Sequence, residues 1–215
     1  MRATPAGSTG IVTAGALVAF LACGQAARAF TVNITAANPK AIYLQVGVGT
    51  FTGGNYNAGG TPGNNTTINT VSVGVPAASV GTGVAQAMTT NSAQAISFYD
   101  GFTFCNTPAQ LYIGGFYRNT TNTGAATVTA TSPANLINGT GDTIPFTQIR
   151  WTSSGNGDAG AQPFPAGTFV GGVQTIGTIS RNQWAESCHT FSYANTSIRP
   201  AGTYTGRVTY TLSSP

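Results

Sequence analysis

The chain has 215 residues, of which 41% are hydrophobic and only 6% are charged. That hydrophobic content excludes a disordered chain and is enough for one folded domain, whereas the charged fraction lies far below the roughly 25% that is usual and suits the uncharged polar surface of an exported assembly. The formal net charge of +4 comes from isolated residues rather than from a basic stripe with interleaved aromatics, which excludes nucleic acid as a partner class.

Residues 1–29 are typical of a cleaved export signal. They have a positive charge at Arg2, an apolar run from Gly10 to Gly24 that is too short for a mature membrane helix, and the small-x-small tripeptide Ala27-Arg28-Ala29. We expect cleavage after Ala29, so that the mature chain begins at Phe30. The protein is therefore predicted to act in the periplasm, at the cell surface or outside the cell.

Membrane attachment of the mature chain is not predicted. Cys23 follows Leu21 and Ala22, as in a lipoprotein signal, but Phe20 stands three residues before the cysteine, where such signals prefer leucine. No apolar run after the leader reaches the length of a transmembrane helix. We therefore expect an exported chain without a lipid anchor or a transmembrane helix.

Period-two alternation of apolar and polar residues recurs along the mature chain, and turn-forming clusters of Gly, Pro and Asn separate the alternating stretches. This pattern predicts a single all-β domain over residues 30–215, with the short strands of an antiparallel β-sandwich. The predicted strands are Phe30 to Thr35, Ala41 to Val48, Thr67 to Val75, Ala95 to Tyr99, Gln110 to Tyr117, Ala125 to Thr131, Thr147 to Thr152, Gly172 to Ile179, His189 to Tyr193 and Thr203 to Leu212.

Cys105 and Cys188 are the two cysteines that remain after cleavage, and an oxidising compartment favours a disulfide between them. Closing so long a loop would stabilise the fold by roughly 4 kcal/mol in the chain-entropy description. The alternative is a metal site formed with the adjacent His189. It lacks the paired spacing of metal ligands, and neighbours on a strand point to opposite faces.

Catalytic chemistry has few candidates in the mature chain, and we expect neither enzyme activity nor a cofactor. His189 is the single histidine, and no Gly-x-Ser-x-Gly turn is present to expose a nucleophilic serine. Three of the carboxylates, Asp100, Asp158 and Glu186, could in principle form a pair for glycoside hydrolysis. Their spacing does not bring two of them to one bond.

Two glycine-rich segments resemble calcium loops, and two aromatic segments resemble sugar-binding surfaces. Residues 138–142 and 155–160 each contain one carboxylate, which is few for a calcium site, so turn chemistry is the favoured interpretation. The aromatic residues in 98–104 and 112–117, with Trp151 and Trp184, are expected to pack in the core or at its rim. A secreted carbohydrate-binding β-sandwich remains the alternative function.

The clearest alternation lies at the two ends of the mature chain, Phe30-Thr-Val-Asn-Ile-Thr35 and Pro200-Ala-Gly-Thr-Tyr-Thr-Gly-Arg-Val-Thr-Tyr-Thr-Leu212. These ends resemble those of exported bacterial fimbrial subunits of the spore-coat-U-like and chaperone-usher pilin families. The resemblance implies an incomplete immunoglobulin-like sandwich, with like subunits and a periplasmic chaperone as partners.

In such an assembly, the N-terminal strand of one subunit fills a groove in the next. The resemblance implies that the inserted side chains are Phe30, Val32 and Ile34. It implies that the groove, or the surface held by the chaperone, is bordered by Tyr204, Val208, Tyr210 and Leu212. The alternative is that residues 30–35 form an ordinary first strand that pairs within its own domain.

Overall fold

The structure is a computed structural model that describes residues 30–215. The predicted export signal, with its cleavage site after Ala29 and the alternative lipid site at Cys23, lies outside the described residues. Apart from short 3-10 helices at Ala77–Ser79 and Phe146–Gln148, the regular structure within them is antiparallel β, which confirms the predicted fold class. The strands are β1 (Thr31–Asn33), β2 (Ala41–Val46), β3 (Phe51–Thr52), β4 (Thr61–Pro62), β5 (Val71–Ser72), β6 (Gln86–Ala87), β7 (Thr89–Thr90), β8 (Leu111–Arg118), β9 (Ala126–Thr131), β10 (Asn135–Ile137), β11 (Thr143–Pro145), β12 (Ile149–Ser154), β13 (Gly167–Thr168), β14 (Val173–Ile179), β15 (Gln183–Tyr193) and β16 (Thr209–Ser213).

Two sheets form the sandwich, and β15 is the central strand of the larger one. The larger sheet has the order β13-β12-β15-β8-β2, and β1 and β6 also pair with β15. Along one side of β15, β1 pairs with residues 183–185 and β12 with residues 188–193. Along the other side, β8 pairs with residues 183–187 and β6 with the last two residues of the strand. The smaller sheet has the order β14-β9-β16.

The main core lies between these two sheets. Strand β9 shows why it forms: Ala126, Val128 and Ala130 are fully buried, while the threonines between them point outward. Alternate side chains of β8, β14 and β15 meet them from the other strands. The largest side chains of this core are Tyr117, Phe146, Trp151, Phe164, Phe169, Phe191 and Tyr193.

The opposite face of the larger sheet is also covered, by loops that carry aromatic residues, and the apolar side chains of residues 30–34 pack against them. This second cluster surrounds Cys105 and Cys188, and we call it the aromatic cluster. Since β8 and β15 are buried on both faces, almost no position in either strand is exposed. The buried aromatic side chains of the cluster are Phe98, Phe104, Tyr112, Phe116 and Trp184, and half-buried Phe30, Tyr43, Phe51, Tyr56 and Tyr99 pack against them.

Several strands differ in extent from the sequence prediction. β15 begins at Gln183 rather than at His189, whereas β16 begins at Thr209 rather than at Thr203. Within residues 67–75 only Val71–Ser72 pairs as a strand, and residues 95–99 form a turn with a single bridge. The differences arise where a strand is buried on both faces or where a segment packs on the core without a neighbouring strand.

Candidate functional site

The N-terminal segment, residues 30–35, pairs within its own domain. β1 runs antiparallel to β15 with Val32 opposite Trp184. Backbone hydrogen bonds extend the pairing at both ends: Glu186 N donates to Phe30 O at 3.2 Å, and Ile34 N donates to the Asn182 carbonyl at 2.9 Å. Within one chain the segment is therefore an edge strand, which agrees with the alternative that residues 30–35 form an ordinary first strand. Exchange of this strand between subunits stays a prediction.

The apolar side chains of this segment are half-buried against the aromatic cluster. Phe30 contacts Phe104 with a ring-centroid distance of 5.4 Å and Tyr99 with one of 5.7 Å. Val32 and Ile34 pack against the same cluster, while Thr31 and its polar neighbours on the other face are exposed. The predicted alternation of this segment is thus present in the structure.

The C-terminal strand lies at the edge of the smaller sheet. The four predicted groove residues, Tyr204, Val208, Tyr210 and Leu212, are half-buried and pack against the main core. β16 pairs with β9 along one edge, and no other strand of residues 30–215 pairs with it. Burial raises the pKa of the Tyr210 hydroxyl, which therefore stays protonated.

A second edge strand lies beside β16. β2 is the last strand of the larger sheet and contacts β16. Its inward side chains, Leu44 and Val46, are also only partly covered and pack against the main core. Two edge strands with half-buried apolar residues thus face each other across one side of the sandwich, and we call this feature the open side.

The predicted disulfide between Cys105 and Cys188 is present, with the two Cα atoms 5.5 Å apart. It lies in the aromatic cluster, and both residues are almost completely buried. His189, the next residue along β15, points to the opposite face and packs in the main core. The alternative metal site of these three residues is therefore excluded.

Glu186 lies beneath the aromatic cluster with no solvent exposure. Its Oε2 atom accepts hydrogen bonds from the Tyr112 hydroxyl at 2.5 Å and from Trp184 Nε1 at 2.9 Å. Burial raises the pKa of Glu186 to about 7, although the two donors act in the opposite direction. This network was missed at the sequence level, yet Trp184, Glu186 and Cys188 alternate along one strand and so share a face.

His189 is buried in the main core and stacks on Trp151 with a centroid distance of 5.6 Å. Its Nε2 atom donates to the Phe164 carbonyl at 3.0 Å, and burial lowers the pKa of the ring to about 4. His189 and Glu186 are on opposite faces of β15, so they do not form an acid-base pair. Both tryptophans are buried, as the core interpretation predicted.

The two glycine-rich loops use their carboxylates to hold their own turns. Asp142 Oδ2 accepts from Asn138 and from the Thr140 hydroxyl, and these bonds lower the pKa of Asp142. Asp158 accepts from Gly160 N and from the Gln162 amide. Both loops therefore have the turn chemistry that the sequence favoured.

Comparison of the chain with protein-family models, with curated proteins and with solved structures finds no match in any of the three. No helix within residues 30–215 has the length and apolar character needed to cross a membrane. Fold and geometry therefore provide the basis for a functional proposal.

Proposed function

We propose that this protein is an exported structural or adhesive subunit of a surface polymer, in which neighbouring copies join by strand addition at the open side. The observation that carries the proposal is the free edge of β16, where Tyr210 and Leu212 are only half-buried, as is Val208 just before the strand. An open strand edge with an apolar face is a template for pairing with another chain. A periplasmic chaperone would protect this edge before assembly.

The N-terminal segment is the inserted strand in this proposal. β1 pairs over three residues at a sheet edge, so a small number of backbone bonds holds it in place. Its polar face carries Thr31, Asn33 and Thr35, and the outer face of β16 carries Thr209, Thr211 and Ser213. Because none of these residues is charged, no electrostatic repulsion opposes their pairing.

A covalent lock on β1 tests the exchange step. Asn33 and Gln183 are register partners, and their side chains are joined by a 3.3 Å hydrogen bond, so the double variant N33C/Q183C can cross-link β1 to its own β15. Size exclusion with light scattering should show oligomers for the native protein and for N33C alone, but a monomer for the oxidised double variant. A native protein that stays monomeric at every concentration, or a locked protein that still assembles, would contradict the proposal.

A pair of lysine substitutions on β16 tests the acceptor edge. Leu212 faces the core and is half-buried, whereas Thr211 is exposed on the other face of the same strand. We expect L212K to prevent assembly, because a buried charge opposes insertion of an apolar strand, and T211K to assemble normally. Near-ultraviolet circular dichroism checks that both variants fold. Equal assembly of the two variants would remove the open side from the mechanism.

A further inference from the structure

A cleft with a volume of about 640 Å³ opens on the outer face of the aromatic cluster. One wall is the end of β1, with Asn33. A second part of the lining is the loop of residues 56–62. Tyr99, the start of β2 and the end of β8 with Arg118 also line the cleft. Its volume is within the range of about 300–1,000 Å³ that is typical of small-ligand sites.

Arg118 supplies a cation that is held in position by aromatic rings. Its guanidinium carbon lies 5.2 Å from the ring centroid of Phe116 and 5.9 Å from that of Tyr56. Its Nη1 atom donates to the Tyr56 hydroxyl at 3.1 Å. The Nε atom is buried and has no hydrogen-bond partner among the described residues. Because its hydrogen-bond partner is a neutral hydroxyl rather than a carboxylate, the charge of the guanidinium is not neutralised by that partner, and such a group is suited to an anionic ligand.

The other groups of the cleft are neutral. The rings of Tyr56 and Tyr99 are half-buried and lie nearly parallel, with centroids 6.2 Å apart. Asn33 and Asn57 are exposed at the rim, and each amide can both donate and accept a hydrogen bond. Aromatic surface next to uncharged amides complements a ligand that has C–H faces and many hydroxyl groups.

We propose that this cleft binds an acidic carbohydrate, with the carboxylate of a uronic-acid type sugar at Arg118 and the pyranose ring against the tyrosines. The guanidinium would bind the carboxylate, while the amides would hydrogen-bond the sugar hydroxyls and the tyrosine rings would pack against the C–H face of the pyranose. The site is formed within one chain. Because β1 forms one wall, the cleft exists in a chain that keeps its own β1 and loses that wall when β1 is exchanged. Sugar binding by the monomer and assembly into oligomers are measured separately, so either proposal can fail without the other.

Glucuronic acid and glucose provide a matched pair of probes, because they differ only at C6, which is a carboxylate in the first and a hydroxymethyl group in the second. Isothermal titration calorimetry of the exported protein should give an affinity for glucuronic acid that is at least about tenfold higher than that for glucose. R118Q should remove this difference, R118K should retain part of it, and raised salt should weaken it. R150Q is the control, because Arg150 is an exposed arginine on β12.

A spectroscopic measurement covers the case in which R118Q does not fold. In the native protein, glucuronic acid should shift the backbone amide resonances of Gly59, Gly60 and Thr61, which line the cleft. Shifts confined to other regions would overturn the proposal. So would equal affinity for the two sugars, absence of binding to both, or an equal loss of binding in R150Q and R118Q.

Discussion

Replacement of Glu186 by glutamine should make stability rise with pH between about 4 and 6.5, a dependence that is cancelled in the native protein. Glu186 and His189 are both at most 1% exposed, on opposite faces of β15. Burial raises the pKa of Glu186 to about 7 and lowers the pKa of His189 to about 4. Between pH 4.5 and 6.5, the folded chain therefore keeps both groups neutral, whereas the unfolded chain has both ionised.

The two groups contribute opposite slopes to the free energy of unfolding. From pH 4.5 to about 7, the unfolded Glu186 releases its proton while the folded one keeps it, so stability falls by about 3 kcal/mol as pH rises. From pH 6.5 down to about 4, the unfolded His189 takes up a proton that the folded ring does not, so stability falls by about 3 kcal/mol as pH falls. Where these ranges overlap, the slopes cancel.

Urea unfolding followed by tryptophan fluorescence across this pH range measures each slope. E186Q retains only the His189 contribution, so its free energy of unfolding should increase by about 3 kcal/mol as pH rises from 4 to 6.5. H189Q retains only the Glu186 contribution, so its free energy of unfolding should decrease by about 3 kcal/mol as pH rises from 4.5 to 7. The double variant should again be flat. A substitution that changes the free energy of unfolding equally at every pH leaves the shape of this pH dependence unaltered. If the free energy of unfolding of E186Q had the same pH dependence as that of the native protein, the predicted role of Glu186 would be refuted.

Two further predictions concern the aromatic cluster. The free energy of unfolding of the variant C105A/C188A should be lower by roughly 4 kcal/mol, because the disulfide closes a long loop with a sequence separation of 83. The midpoint of denaturant unfolding measures this decrease, and an unchanged midpoint would contradict the loop-entropy explanation. Gly114→Ala would place a Cβ atom onto the hydroxyl of the fully buried Tyr112 and should cost about 1–3 kcal/mol. Gly74→Ala is its control in thermal melting, because a Cβ at Gly74 has open space, and equal melting temperatures would disprove the overlap.

The all-β class and the disulfide could be predicted because each leaves a local signal. Strand β9 has one face toward the core and one toward solvent, so its period-two pattern is visible in the sequence. The disulfide could be predicted because two cysteines remain after the expected cleavage and the predicted compartment is oxidising. The terminal segments were recognised for the same reason, since Phe30 and Val32 alternate with polar residues, as do Tyr210 and Leu212.

The first part of β15 could not be predicted, since both of its faces are buried. Residues 183–187 contain Trp184, Ala185, Glu186 and Ser187 in a row, and a strand that packs on two cores has no polar face to produce alternation. The cleft at Arg118 is equally invisible in the sequence. It depends on β1 and on the loop of residues 56–62, which lie far apart along the chain, and an arginine at a strand end has no pattern of its own.

The same strand links the proposed exchange of β1 to the charge state of Glu186. Glu186 N donates to Phe30 O, and the Phe30 ring covers Tyr99 and Phe104, which lie in the cluster above the carboxyl group. In the proposed assembly, departure of β1 hydrates this region, so the pKa of Glu186 returns toward its ordinary value and a proton is released. Because proton release and strand release are then coupled, exchange becomes more favourable as pH rises from about 4.5 to about 7. On the proposed exchange, β1 should therefore be released least readily under acidic conditions.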